Sequence, residues 1–201
     1  MFNISIIIPT TGSSFNDCLK PCIESLIKYT DFSHLDTQVV IVSNGSDREV
    51  NEYLQNLYKT YNSFINVSCL DTQIGFPKAI NEGLRYCLGK YIVILNDDVE
   101  FLPQNTNTWL NLLYRPFLQD PMMGITGCHS LTCPVTKEEF IVFFCAMIKR
   151  EVFSAVGLLN EAFTPGYGED IDFCIRAKKV GYNIRNVNTN VRYPNGKNYV
   201  I

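Results

Sequence analysis

Residues 91–100 read YIVILNDDVE and decide the fold of this 201-residue chain. Five apolar residues, Tyr91–Leu95, run without a polar break into Asn96, Asp97 and Asp98. A continuous apolar run of this length predicts a strand buried on both faces, as in the centre of a parallel sheet. In open α/β sheets, ligands bind outside the carboxyl ends of such strands, which is where these acids fall. Adjacent buried carboxylates repel and need a cation, an arginine or solvent, although two acids alone are more typical of a solvated turn.

Three further apolar runs precede this strand, and a helical pattern follows each of them. Strands are predicted at residues 4–8, 39–42 and 67–70, and helices at residues 19–27, 48–58 and 75–88. This alternation is typical of right-handed βαβ units around a parallel sheet, with the polar strand ends gathered along one edge. The chain contains neither the Gly-x-Gly-x-x-Gly motif of dinucleotide folds nor a Gly-x-x-x-x-Gly-Lys-Ser/Thr phosphate loop.

The second half of the chain follows a different pattern. Helical spacing at residues 106–118 predicts a helix whose end is disturbed by Pro116. Residues 121–134 are rich in Gly, Pro, Thr and Cys and are predicted to loop over the sheet. A strand and two helices are predicted to follow, at residues 140–148, 149–156 and 169–180. No linker or repeat interrupts the chain, so one domain at residues 1–201 is expected.

Composition and charge argue against several classes of protein. The net charge of −3 argues against nucleic-acid binding through bulk electrostatics. The eight cysteines form no CxxC pair, and His34 and His129 are not spaced as zinc partners. Reduced cytoplasmic thiols are the simpler interpretation, although an even number leaves disulfides open. No signal segment precedes the first strand and no apolar run approaches the ~20 residues that span a bilayer, so the sequence predicts a soluble, cytoplasmic protein, with association at a membrane surface and the oligomeric state left open.

Three polar stretches each allow a structural and a functional interpretation. Residues 43–47 could form a turn and a helix N-cap, or a loop that hydrogen-bonds a base or ribose. Residues 75–83 could be a helix start with a solvated Lys78, or a helix N-terminus that faces a phosphate. The three acids within residues 169–172 could stabilise a helix dipole, or one of them could act as a general base, and their spacing does not decide which.

These stretches follow one another in a recognisable order. The motifs are Pro9-Thr10, Ser43-Asn44-Gly45-Ser46, the segment 75–83, Asn96-Asp97-Asp98 and Gly168-Glu169-Asp170-x-Asp172. The order resembles the inverting glycosyltransferases of family 2, and residues 149–163 also resemble that family's segment before its Glu-Asp motif. The resemblance covers nearly the whole chain. Each motif is weak alone, but five in this order and spacing are specific.

The resemblance implies an α/β protein with the GT-A fold, in which helices flank a Rossmann-like, mostly parallel central sheet. It implies a nucleoside-diphosphate sugar donor and transfer with inversion to a hydroxyl of a glycan, lipid-linked or protein acceptor. The implied cofactor is Mg²⁺ or Mn²⁺ on the diphosphate, with Asp98 the first ligand and Asp97 the second. Asp170 matches the family's catalytic base and Glu169 its neighbour at the acceptor site. The nucleotide-sugar contacts that carry over are Pro9, Thr10, Thr11, Ser43, Asn44, Gly75, Lys78, Asn96 and Asp97.

The residue types agree with this chemistry. A diphosphate leaving group requires a hard cation held by oxygen ligands, and Mg²⁺ commonly takes only one or two protein carboxylates. Inversion by a single displacement requires one carboxylate as general base on the face opposite the leaving group. It requires no nucleophile from the enzyme.

Three positions depart from the family pattern. Ser43 stands where the family often has Asp, and Asn96 holds the first place of the acidic motif. No histidine follows His129 as a further metal ligand, so Arg192 or Lys197 could neutralise part of the diphosphate charge instead. Many relatives continue beyond this point, and a bare catalytic domain is therefore expected.

Two other functions remain open at this stage. Asn96 and the missing histidine are compatible with a catalytically weak module that binds a nucleotide sugar without turnover. A nucleotidyltransferase on a similar sheet is the weaker alternative, because such enzymes usually carry a basic, Gly-rich loop after the first strand. Residues 10–14 contain neither Arg nor Lys.

Overall fold

The structure, a computed structural model, describes residues 2–187, 189, 191–192 and 198–199, with the backbone alone at 192, 198 and 199. A seven-stranded sheet forms its centre. The described strands, both inside and outside this sheet, are β1 Ile4–Thr10, β2 Thr37–Asn44, β3 Ile65–Leu70, β4 Tyr91–Leu95, β5 Glu100–Phe101, β6 Met123–Gly127, β7 Ser130–Thr132, β8 Glu139–Ile141, β9 Cys145–Lys149, β10 Asn183–Asn186, β11 Val191–Arg192 and β12 Asn198–Tyr199. The four strands predicted in the first half of the chain are confirmed.

Six α-helices connect and cover the strands. They are α1 Lys20–Tyr29, α2 Arg48–Tyr61, α3 Phe76–Leu84, α4 Thr108–Gln119, α5 Arg150–Val156 and α6 Glu169–Lys179. A π-helical turn at Phe15–Leu19 leads into α1, and a 3-10 turn lies at Glu161–Phe163. In the part of the chain that the structure describes, no helix has both the length and the apolar composition needed to cross a bilayer.

The central sheet is parallel on one side of β4 and mixed on the other. Its strand order is β10-β6-β9-β4-β1-β2-β3. The strands β3, β2, β1 and β4 run parallel, as the βαβ pattern predicts, while β9 runs antiparallel to both β4 and β6. The prediction for β4 is therefore half right: the strand is central, but it has a parallel neighbour only at β1.

Both faces of the sheet are covered, which confirms the burial predicted from the apolar run of β4. Val93 and Leu95 pack into one core with side chains of α1, α2 and α4. Ile92 and Ile94 pack into a second core with side chains of α3, α5 and α6. Because successive strand residues point to opposite faces, a strand between two helical layers requires an unbroken apolar run.

Three boundaries predicted from the sequence are wrong. Residues 121–134 are not a loop over the sheet, because they contain the fully buried strand β6 and the short strand β7. Residues 140–148 are not one strand, since β8 and β9 are separated at 142–144. The helix predicted to reach residue 88 ends at Leu84, since the backbone beyond it bonds to buried polar side chains of β1 and β2.

The misassignment of β6 has a tertiary cause. Its sequence, MGITG, contains two glycines, which weaken a strand by themselves. Gly127 packs against the side chain of Ile141, leaving no space for a Cβ atom. The hydroxyl of Thr126 donates a hydrogen bond to the carbonyl of Leu113 in α4 (2.8 Å). Close approach of neighbouring elements thus stabilises a segment whose local propensity is low.

The cysteine side chains are all free thiols. Six of the eight are buried, at positions 22, 87, 128, 133, 145 and 174. Buried thiols of this kind behave as small hydrophobic residues. Most of the cysteines are therefore core residues, while Cys69 is exposed and Cys18 is half-buried.

Candidate active site

A cleft of 760 Å³ opens at the carboxyl ends of the parallel strands β1, β2 and β4. We call it the first cleft. The parallel arrangement brings together polar loops that lie far apart in the sequence. Its lining residues are Pro9, Thr10, Thr11, Ser13, Ser14, Cys18, Asn44, Gln73, Ile74, Gly75, Phe76, Lys78, Asn96, Asp97, Asp98, Thr164 and Pro165. The cleft therefore contains nine of the residues that the sequence predicts for the nucleotide and metal sites.

Ser43 is the predicted nucleotide contact that does not line this cleft. Its side chain is fully buried, and its hydroxyl donates a hydrogen bond to the side-chain oxygen of Asn51 (2.6 Å). The amide nitrogen of Asn51 in turn donates to the carbonyl of Ser46 (3.1 Å). Ser43 thus supports the loop after β2 from behind, and its neighbour Asn44 is the residue that reaches the cleft.

Internal hydrogen bonds hold the loops around the first cleft. The side-chain oxygen of Asn44 accepts a bond from the backbone N–H of Ile74 (2.8 Å). The hydroxyl of Thr10 accepts from the N–H of Gly12 (3.0 Å), and the hydroxyl of Ser46 donates to the carbonyl of Thr10 (3.2 Å). These bonds join the ends of β1, β2 and β3, so the floor of the cleft is preformed.

The acidic motif leaves β4 in a tight turn. The N–H of Asn96 donates to the carbonyl of Phe144 (2.8 Å), and the N–H of Val99 donates back to the carbonyl of Asn96 (3.3 Å). Asp97 and Asp98 are half-buried within this turn. Two buried side-chain oxygens, Asn96 Oδ1 and Asp98 Oδ1, have no hydrogen-bond partner among the residues that the structure describes. Unpartnered buried acceptors of this kind point to a ligand that donates or coordinates there.

The electrostatics of the motif favour a cation. Burial, followed by the charge of Asp97, raises the pKa of Asp98 to about 6. Burial also raises the pKa of Asp97, and a hydrogen bond with the side chain of Thr10 offsets part of that rise. Two repelling carboxylates and an amide oxygen are a hard donor set that fits Mg²⁺ or Mn²⁺. Within the described residues no group of three or more His, Cys, Asp or Glu side chains is arranged as a metal site, so a cation here would take its remaining ligands from substrate or water.

The N-terminus of α3 forms another side of the first cleft. Gly75 precedes the helix with φ of +85°, a conformation that favours glycine, and a Cβ atom here would lie 2.7 Å from Thr164 Cγ2. Lys78 lines the cleft in the first turn of α3 and forms no ion pair with any residue that the structure describes. A helix N-terminus and a lysine together favour a bound anion.

A second cleft, of 530 Å³, adjoins the first. Phe76, Asn96 and Pro165 line both clefts and form the boundary between them. The other lining residues of the second cleft are Leu131, Phe140, Val142, Phe143, Phe144, Gly166, Tyr167, Gly168, Glu169, Asp170 and Ile171. Most of these side chains are apolar, and the two carboxylates lie at the N-terminus of α6.

The three acids of α6 have different surroundings in the structure, a difference that the sequence alone does not show. Asp172 forms an ion pair with Arg176 one turn later (2.7 Å) and is not part of the second cleft. Glu169 is only 7% exposed, and its Oε2 atom has no hydrogen-bond partner among the described residues. Asp170 is half-buried and accepts a bond from the N–H of Ile171 (2.8 Å). Burial raises the pKa of both Glu169 and Asp170. These two acids line the second cleft and are the ones available to a ligand there.

The aromatic residues Trp109, Phe163 and Tyr167 differ in their positions relative to the second cleft. Trp109 is a core residue, completely buried, with its indole N–H donating to the hydroxyl of Thr30 (3.1 Å). The ring of Phe163 packs against Gly168. Tyr167 is 93% exposed at the rim of the second cleft. Of these three, Tyr167 alone lies exposed beside the two carboxylates of the second cleft.

Several lining residues were not predicted from the sequence. Ser13, Ser14, Gln73 and Ile74 flank predicted contacts, and extending the motifs by three residues finds them. Cys18, Thr164 and Pro165 have no such signal. Of the residues proposed to replace the missing histidine, Arg192 is described by its backbone alone, opposite Glu100 in the pairing of β11 with β5. Lys197 lies outside the described residues.

Solved structures share this fold. The mannosyltransferase PcManGT from Pyrobaculum calidifontis, solved with GDP-Man and Mn²⁺, has a TM-score of 0.71 and 18% identity, over 92% of this chain and 54% of its own. GalNAc-T7, solved with UDP, GalNAc and Mn²⁺, has a TM-score of 0.77 and 16% identity, over 93% of this chain and 42% of its own. The sheet, its helices and the cleft at the strand ends thus define the GT-A class of glycosyltransferase folds.

The family follows from the sequence match. Residues 5–129 match the family described as Glycosyl transferase family 2, and because this span exceeds half of the chain, the protein belongs to that family. The family match establishes the family, and the two solved structures establish the fold. An uncharacterised protein of Sinorhizobium fredii, y4gI, is 24% identical over 90% of this chain. The chain spans only 23% of that relative and about half of the solved structures, so it corresponds to part of each.

Proposed function

We propose that the protein is an inverting glycosyltransferase, which moves a sugar from a nucleoside diphosphate to an acceptor hydroxyl in a single displacement. One observation carries the proposal: two adjoining clefts share a boundary, and each contains its own pair of carboxylates. The pair at Asp97 and Asp98 suits a cation and a diphosphate. The pair at Glu169 and Asp170 suits an acceptor hydroxyl that must lose a proton.

The first cleft would bind the donor. Thr10 and Asn44 lie at the strand ends where a base and ribose would contact polar side chains. Lys78 and the N-terminus of α3 would lie near the diphosphate and attract its charge. Asp98, with Asp97, would hold the divalent cation, and Asn96 Oδ1 offers a further oxygen. Mg²⁺ or Mn²⁺ bound here would neutralise charge on the leaving diphosphate.

The second cleft would bind the acceptor. Asp170 is half-buried and reachable, whereas Glu169 is almost completely buried. We therefore assign Asp170 as the general base and the unpartnered oxygen of Glu169 as an acceptor for a substrate hydroxyl. The acceptor oxygen forms a bond to the anomeric carbon while the bond from that carbon to the diphosphate breaks. The hydroxyl proton moves to Asp170, and attack opposite the leaving group inverts the anomeric centre.

Binding of the donor can be tested by thermal shift. The panel contains GDP-mannose, UDP-N-acetylgalactosamine, UDP-glucose and dTDP-glucose, each with and without Mn²⁺. We expect one nucleotide class to stabilise the protein in the presence of Mn²⁺, because a ligand at 100 times its dissociation constant adds roughly 2.7 kcal/mol to the free energy of unfolding. No shift with any of the four sugars would contradict the proposal.

Turnover and stereochemistry provide the second part of the test. Release of nucleoside diphosphate shows turnover, and NMR of the first-formed sugar product gives its anomeric configuration. An α-linked donor should yield a β product. Binding without release would identify a module that binds nucleotide sugars without turnover, and retention of configuration would exclude the single displacement.

A further inference from the structure

Asn81 is a buried polar residue that lines neither cleft. It lies in the middle of α3 and is 7% exposed. Its amide nitrogen donates hydrogen bonds to the carbonyl of Leu159 (2.9 Å) and to Glu161 Oε1 (3.0 Å). Its amide oxygen accepts from the N–H of Leu159 (3.1 Å). Asparagine is a poor helix former, so this set of three bonds is the feature that accounts for its presence.

These bonds hold one end of the segment that separates the two clefts. We call residues 159–168 the wall segment. Thr164 is tied to the carbonyl of Glu161 through both its N–H (3.2 Å) and its hydroxyl (2.8 Å). The carbonyl of Pro165 accepts a bond from the N–H of Phe76 (2.8 Å). The helix α3 therefore holds the wall segment at two points, one at Asn81 and one at its own N-terminus.

The wall segment contacts both halves of the candidate reaction site. Thr164 and Pro165 line the first cleft, where the donor is proposed to bind. Pro165 also lines the second cleft, together with residues 166–168. The ring of Phe163 packs so closely on Gly168 that a Cβ atom there would lie 3.0 Å from it. Gly168 directly precedes Glu169 and Asp170. The wall segment therefore connects the hydrogen bonds of Asn81 to the proposed base.

We propose that Asn81 is a positioning residue for sugar transfer, because it holds the wall segment at the distance from α3 that aligns the donor with Asp170. The inference rests on the glycosyltransferase function proposed above. It predicts that Asn81 affects the rate of the chemical step rather than the binding of the donor. Small errors in the alignment of reacting groups are costly, since a misplacement of about 1 Å can lower a rate about 100-fold.

The test exchanges hydrogen-bond partners between Asn81 and Glu161. Asn81→Asp keeps the acceptor for the N–H of Leu159 but loses both donated bonds and faces the Glu161 carboxylate. We expect kcat for nucleotide release to fall about 10- to 100-fold, with the KM for the donor changed by less than about threefold. Adding Glu161→Gln restores the hydrogen bond between residues 81 and 161 but not the bond to the carbonyl of Leu159, and it should recover part of the lost kcat. The substrate is whichever sugar of the four-member panel the parent protein consumes fastest.

Two further variants act as controls. Asn56→Asp makes the same charge change on the exposed face of α2 and should leave kcat unchanged. Glu161→Ala removes one of the three bonds at an exposed position, so the variant should fold normally and lose about two- to fivefold in kcat. This variant keeps the proposal testable if Asn81→Asp does not fold.

The outcomes separate this inference from the proposed function. If the parent protein is active and Asn81→Asp has the same kcat as the parent, the positioning role alone is overturned. A loss that Glu161→Gln does not recover even in part would assign the effect to packing of α3 and would also overturn the positioning role. A parent protein that releases no nucleotide from any of the four sugars would overturn both proposals.

Discussion

At the scale of single residues, the site contains polar atoms that folding leaves unsatisfied. Asn96 Oδ1, Asp98 Oδ1 and Glu169 Oε2 are buried without a hydrogen-bond partner among the described residues. Each such atom costs about 1–3 kcal/mol of stability. All three belong to the two clefts, so the cost falls where a cation and two substrates are proposed to bind. Removing these groups should stabilise the protein while it abolishes binding.

The Asp98→Asn variant tests directly whether removal of one such group raises stability and abolishes binding. Because the pKa of Asp98 is raised in the folded state, its ionisation destabilises the fold at neutral pH. We expect the variant to be more stable than the parent by about 1–3 kcal/mol at pH 7.5 without metal, a figure reduced for partial solvent exposure. The difference should disappear as the pH falls from about 6 towards 3.8, where the parent also becomes neutral. Urea unfolding at several pH values measures it.

A matched variant and a metal titration complete that experiment. Asp71→Asn removes an exposed acid and should leave stability within about 0.5 kcal/mol of the parent. Mn²⁺ with nucleotide should raise the melting temperature of the parent but not of Asp98→Asn. A variant that is less stable than the parent at pH 7.5 would contradict the electrostatic account of this turn.

Asp170→Asn tests the base. The residue must be ionised to accept a proton, so activity should fall as the pH drops through its pKa. Since burial raises this pKa above the ordinary value of 3.8, the acid limb of the kcat profile should lie above that value. Asp170→Asn should lower kcat about 100- to 10,000-fold and remove the limb. Asp172→Asn is the comparison, since that acid is paired with Arg176 outside the second cleft, and equal losses in both variants would contradict the assignment.

At the scale of elements, α3 connects the sheet to both clefts. Gly83 lies against β1 and β2, where a Cβ atom would meet Ile7 Cγ2 at 2.6 Å and Val42 Cγ2 at 3.1 Å. The same helix presents Gly75 and Lys78 to the first cleft and Asn81 to the wall segment. A displacement of α3 would therefore move donor contacts and the wall segment together.

Gly83→Ala should show this coupling. Overpacking against two β-branched side chains is expected to lower the free energy of unfolding by about 1–3 kcal/mol, as measured in urea. Donor binding should weaken in the same variant because Gly75 and Lys78 shift with the helix. Gly166→Ala is the control, since its Cβ would lie 3.7 Å from Phe76 Cβ, an ordinary contact. Equal stability in the two variants would show that α3 adjusts without cost.

At the scale of the whole molecule, two apolar cores enclose the sheet and bury most of the thiols. Burial also raises the pKa of Cys22, Cys87 and Cys174, which keeps these thiols protonated and unreactive. Cys69 on β3 is exposed, and Cys18 is half-buried and lines the first cleft. The reactivity of the thiols therefore reports on the integrity of the whole fold.

Thiol titration with a disulfide reagent should distinguish three groups. In the native protein we expect Cys69 to react first and Cys18 more slowly. Of the six buried thiols, Cys133 should react before the others, because hydrogen bonds with Thr136 lower its pKa, and all eight thiols should react after unfolding in guanidinium. Bound nucleotide should slow the reaction of Cys18 but not that of Cys69. Fewer than eight thiols in the unfolded protein, prepared without oxidant, would contradict the free-thiol structure.

The sequence by itself determined the parallel half of the fold and most of the candidate site. Periodicity is a local property, and the unbroken apolar run of residues 91–95 requires a strand covered on both faces. The loops at the strand ends could be predicted to converge because parallel strands place their carboxyl ends along one edge. Asn44, Asp97 and Asp98 follow strands and were found in this way, whereas Asp170 was singled out among the three acids of residues 169–172 only by the resemblance to family 2.

Only the tertiary structure decided how these residues are used. Strand β6 depends on the packing of Gly127 against Ile141, which no local pattern encodes. Asp172 differs from Asp170 because Arg176 pairs with it, and Ser43 differs from Asn44 because Asn51 accepts its hydrogen bond. These outcomes depend on the direction of each side chain and on partners elsewhere in the fold. Local sequence thus determined which groups are present near the site, while packing decided which of them line the two clefts.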